Sequence, residues 1–94
     1  MARIRAASNA ITGTGTVSIN SKVLGGYKLN ADGTNLATLT IRDNDVSGKI
    51  LYSTKTTVGE KVTEPVDLSN KQVYYDVSGT NADLQIFEWK DKNF

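Results

Sequence analysis

Val73-Tyr74-Tyr75-Asp76-Val77-Ser78-Gly79-Thr80-Asn81-Ala82-Asp83-Leu84-Gln85-Ile86 holds two runs of alternating polarity on either side of a glycine-containing turn. Val73, Tyr75 and Val77 alternate with Tyr74 and Asp76. After the turn, Ala82, Leu84 and Ile86 alternate with Asp83, Gln85 and Phe87. A period of two puts successive side chains on opposite faces of an extended chain, so each run predicts a strand with one face in a core.

The same period recurs on both sides of this stretch. Val17 and Ile19 alternate with Thr16, Ser18 and Asn20. Val23, Gly25, Tyr27 and Leu29 share one face, with Lys22, Leu24, Gly26, Lys28 and Asn30 on the other. Ala37, Leu39 and Ile41 form a fifth run, and Val62, Glu64, Val66 and Leu68 a sixth. Shorter strands are expected at residues 3–8 and 49–53. With turn signals between the runs, the pattern predicts an all-β fold, an antiparallel β-sandwich of about eight strands. It forms a single domain over residues 1–94. The predicted core is Val17, Ile19, Tyr27, Leu29, Leu39, Ile41, Val73, Tyr75, Val77, Leu84 and Ile86.

Asp32-Gly33 and Ser78-Gly79 read as hairpin turns, where glycine accepts positive φ. Each leads into Gly-Thr-Asn and then an alternating run, an internal echo that suggests equivalent positions in two halves. Thr12-Gly13-Thr14-Gly15-Thr16 reads as a looser turn. Pro65 lacks an N–H and predicts that its strand lies at a sheet edge.

Composition removes several function classes. The 94 residues include neither cysteine nor histidine. A disulfide framework, a thiol nucleophile, a Cys/His zinc site and histidine acid–base catalysis are therefore excluded. The net charge of +1 lacks the basic excess that displaces counterions from nucleic acid. No run is long and apolar enough for a membrane helix, and no apolar stretch follows Arg3 and Arg5 as in a secretion signal. Neither a nucleic-acid nor a membrane partner is expected.

Asp43-Asn44-Asp45-Val46-Ser47-Gly48 matches the first half of a calcium-binding EF-hand loop, but Thr54 stands where a bidentate glutamate is needed. The segment is expected to be a polar turn between strands, with Gly48 at positive φ and no metal. Carboxylate pairs such as Asp43/Asp45 and Asp76/Asp83 are too thin a basis for catalysis in so small a domain. No enzyme activity and no cofactor are expected.

Phe87 and Trp89 fall on the face opposite Leu84 and Ile86, and Tyr74 falls opposite Val73 and Tyr75. Leu24 interrupts a polar face. Aromatic side chains outside the core mark candidate subunit contacts. Arg3 and Arg5 alternate with small and apolar residues, as in a strand that joins a sheet and offers charge to a partner, and Phe94 ends a charged tail. The candidate interface is Arg3, Arg5, Leu24, Tyr74, Phe87, Trp89 and Phe94.

Leu24-Gly25-Gly26-Tyr27, Asn30 to Asn35, Ala37 to Asp43 and Val73 to Trp89 together resemble small virion proteins of tailed bacteriophages. The resemblance covers roughly residues 24–89 and rests on turns and strands. It implies a jelly-roll-like sandwich that cements or decorates the capsid as a homotrimer, with the major capsid protein as partner. It implies a place on the capsid surface of the virion after synthesis in the host cytoplasm. The alternative it carries is a receptor- or carbohydrate-binding knob of a fibre or tail.

Overall fold

The computed structural model describes the backbone of residues 2–6, 10–19 and 22–91, and the side chains of residues 10–19 and 22–88. Among these residues every regular element is a strand. In chain order they are β1 (Ala2–Ala6), β2 (Gly13–Ser18), β3 (Val23–Asn30), β4 (Ala37–Asp43), β5 (Ile50–Thr56), β6 (Glu60–Val62), β7 (Val66–Asp67), β8 (Gln72–Ser78) and β9 (Asp83–Asp91).

Two antiparallel sheets result. One has the order β1-β9-β3-β6, with β7 also paired to β3; the other has the order β2-β8-β4-β5. Segments β6 and β7 form one interrupted edge strand, since both pair with β3. The interruption falls at residues 63–65, so Pro65 both sits at the edge and breaks the ladder there. The pairs are nested: β1 with β9, β2 with β8, β3 with β6 and β7, and β4 with β5. Two further pairs, β3 with β9 and β4 with β8, roll this nest into a sandwich.

The core lies between the sheets. Leu24, Leu29, Leu39, Ile41, Val73, Leu84 and Ile86 are its largest fully buried side chains. Tyr27, Ile19 and Val77 are buried with them, while Val17 and Tyr75 pack from partly buried positions. Burial of apolar surface is the dominant stabilising term for such a core. No buried side-chain polar atom among the described residues lacks a partner.

Four local expectations are corrected. The first concerns Leu24, which is 0 % exposed and belongs to the core rather than to a subunit contact. The ladder between β3 and β9 shifts register between Leu24 and Gly26, so a β-bulge reverses the phase of the strand. Gly26 makes the bulge possible. Its φ is +111°, and a Cβ there would lie 1.9 Å from the carbonyl oxygen of Val62. The second correction concerns residues 12–16. Gly13 to Ser18 form a strand with six unbroken pairs to β8, not a turn. The threonines simply alternate with glycines too small to register as an apolar face.

The third correction concerns the two Gly-Thr-Asn turns. Neither closes a hairpin within a sheet; the chain crosses between sheets at each, from β3 to β4 and from β8 to β9. The fourth concerns Asp43 to Gly48, which does form the turn of a true hairpin. Positive φ falls on Asn44 (68°), not on Gly48. The Asp45 carboxylate accepts from the Ser47 N–H at 3.0 Å, and that of Asp43 from the Ser69 N–H and Oγ at 3.1 Å.

Candidate functional site

The crossings bring residues 31–36, 57–59 and 79–82 together at one end of the sandwich, where Ile11 also bridges to Leu84. Asp32 joins two of them. Its carboxylate accepts from the N–H groups of Asn35 (2.7 Å) and Thr34 (2.9 Å) and from the side-chain amides of Asn35 (2.7 Å) and Asn81 (3.0 Å). Asn35 and Asn81 are the matching residues of the two Gly-Thr-Asn turns, so the echo in the sequence becomes a contact in space. Hydrogen bonds to the ionised form, the Asn35 N–H first, hold the Asp32 carboxyl well below the usual carboxylate range. The Gly33 N–H donates to the carbonyl of Thr57 at 2.7 Å and ties in the third loop. Gly79, at φ +124°, lies so close to Leu36 that a Cβ would stand 2.3 Å from the Leu36 carbonyl oxygen.

This tip is fixed by its own hydrogen bonds, and Asp32 is its one charged residue. Leu36 (51 % exposed) and Val58 (78 % exposed) stand out from it. Apolar side chains on a preordered surface lose little conformational entropy when a partner covers them. The tip is thus a candidate docking surface. Sequence reading missed it, because Leu36 and Val58 belong to no alternating run; the paired Gly-Thr-Asn motifs were the available signal.

A second cluster lies along the seam between β5 and β6. The Tyr27 hydroxyl donates to Glu60 at 2.7 Å, and its ring meets that of Tyr52 edge-on at 4.9 Å. The Tyr52 hydroxyl makes a long bond of 3.5 Å to Glu64. Burial, then the Glu60 carboxylate, holds the Tyr27 hydroxyl above the ordinary tyrosine range. Burial, then the Glu64 carboxylate, pushes Tyr52 from 10.0 up to about 12. A hydroxyl kept neutral by the fold contributes its full stabilisation below pH 10.0 and loses it as pH rises through about 12. The melting temperature of the wild-type protein should therefore fall across that interval. Tyr52→Phe should flatten that fall, as measured by thermal melts at stepped pH.

The residues expected at an interface are dispersed. Leu24 is inside the core. Tyr74 is half-buried and register-paired with Thr16 and Arg42, on the outer face of the β2-β8-β4-β5 sheet. Phe87 is on the outer face of the other sheet, opposite Gly26 and Ala6. It is only 8 % exposed, with the Lys61 ammonium 5.8 Å from its ring centre. Tyr74 and Phe87 thus face opposite ways and cannot share one flat contact. The N-terminal strand does join a sheet, and Arg5 stands opposite Glu88 in the register. The side chains of Arg3, Arg5 and Trp89, and all of Phe94, lie outside the described residues.

No cavity opens among the described residues, and none of their carboxylates gather in threes as a metal site would require. Among the described residues no helix is long and apolar enough to cross a membrane. No family model, curated protein or solved structure matches the chain.

Proposed function

We propose that the chain is a structural protein of a virus particle, of the kind that cements or decorates the head of a tailed phage. The observation that carries this reading is the tip: three loops lashed by Asp32, Gly33 and Gly79, presenting Leu36 and Val58 to solvent. Such a surface suits docking on the major capsid protein better than holding a small ligand, which takes a concave site. The two antiparallel sheets support the same class by architecture: we read their nested strand order as jelly-roll-like, an arrangement used by viral capsid and lectin domains.

The mechanism is additive. Each copy buries a small apolar contact across a joint between capsomers, and the symmetry of the head repeats that contact many times over. Opposition to rupture then comes from number, and no single contact has to be strong. The test is rebinding of the purified chain to heads that lack it, with particle stability to heat read before and after. Binding should raise the temperature of rupture. The alternative, a receptor- or carbohydrate-binding knob of a fibre or tail, would be present in few copies, and copy number separates the two.

A further inference from the structure

Four strand positions border the two sheets: β1 and the interrupted β6/β7 in one, β2 and β5 in the other. An unpaired edge is a template for another strand, and proteins guard it with charge, proline, bulges or brevity. Three of the four positions carry such guards. Arg3 and Arg5 lie in β1. The β6/β7 position is short, holds Glu60 and Lys61, and breaks at Pro65. Strand β5 carries Lys55, and its ladder to β4 shifts between Ile41 and Arg42.

Strand β2 has none of these. Its sequence is Gly-Thr-Gly-Thr-Val-Ser, paired without a bulge to β8. It lies within residues 6–21, a run with no Asp, Glu, Lys or Arg in a chain that is 22 % charged. Among the described residues its backbone bonds to β8 alone, and no described strand pairs with its other edge.

We propose that this edge joins two copies of the chain, β2 to β2, in antiparallel register. The argument for a second copy is self-complementarity. An antiparallel pair about a two-fold axis through Thr16 sets Thr16 opposite Thr16, Thr14 opposite Ser18 and Gly15 opposite Val17. Thr14, Thr16 and Ser18 are all exposed, and Gly15 and Val17 are half-buried toward the core. Outward positions therefore meet outward ones, and the sheets of the two copies continue into each other with their faces matched. Hydroxyl pairs of Thr with Thr and Thr with Ser stabilise such a ladder, and no like charges oppose each other. In β1 the same operation about Ile4 would set Arg3 opposite Arg5.

The result is one sheet of order β5-β4-β8-β2-β2-β8-β4-β5. An isologous contact of this kind closes at two copies, in place of the three-fold ring that the resemblance suggested. It goes beyond the capsid reading and does not depend on it.

The experiment is sedimentation equilibrium of the purified chain with two kinds of variant. Wild type should sediment at twice 10.2 kDa. Thr14→Lys combined with Thr16→Lys puts charges at exposed positions of the edge and should give a folded monomer. The chain contains no cysteine, so Thr16→Cys supplies a single thiol. Mild oxidation should link it into a covalent dimer, while Lys55→Cys on β5 stays a monomer under the same treatment. A wild-type monomer up to about 1 mM, a trimer, or a dimer that survives both lysines would overturn the proposal. So would cross-linking at Lys55→Cys equal to that at Thr16→Cys, which decides the matter even if the double-lysine variant fails to fold. Loss of the dimer with capsid binding intact would leave the function reading standing, and the reverse result would leave the dimer standing.

Discussion

Ile86→Ala should unfold at a much lower temperature than the wild-type protein, with a loss of about 2–5 kcal/mol. Ile86 is 0 % exposed, sits on the central strand pair of its sheet and stands opposite Tyr27 in the register. Shortening it removes buried apolar surface and leaves a void that two hydrogen-bonded sheets cannot close. At this chain length each kcal/mol corresponds to roughly 4–8 °C in melting temperature. Ile86→Val keeps most of the side chain and should lose only about 0.5–1.5 kcal/mol. Urea or thermal unfolding of the two variants checks the gradient; equal effects from both would show that the site is not tightly packed.

The second large effect concerns docking. Leu36→Asp combined with Val58→Asp should abolish rebinding to heads that lack the chain, while thermal stability stays close to wild type. Both side chains already stand in water in the isolated protein, so charge costs the fold little. A partner surface that covers them would have to desolvate two carboxylates, which is expensive without compensating pairs. Arg3→Ala combined with Arg5→Ala tests the other expected contact in the same assay. Retained binding in the tip variant would move the docking surface elsewhere on the molecule.

The strands were legible wherever both faces carried contrasting residues. Leu39 and Ile41 against Thr38 and Thr40, or Leu84 and Ile86 against Asp83 and Gln85, could be read from period alone. The reading failed where a residue supplied no contrast. Glycine hid the strand at Gly13 to Ser18, and Gly25-Gly26 hid a bulge that sent Leu24 inward. A single extra residue flips every later side chain, so a local backbone feature outweighed the pattern around it. The tip was harder still, because it depends on loops far apart in sequence that meet only after the sheets roll. Asp32 and Asn81 are 49 positions apart, and nothing local to either predicts the bond between them.

The proposed cement or decoration role on a capsid turns on copy number. The measurement is the copy number of this chain in purified particles, by quantitative mass spectrometry against the major capsid protein. A copy number that scales with the number of capsid subunits, and falls to nothing in isolated tails, is the predicted result. A low number that stays with tails or fibres after the heads are removed would rule that role out.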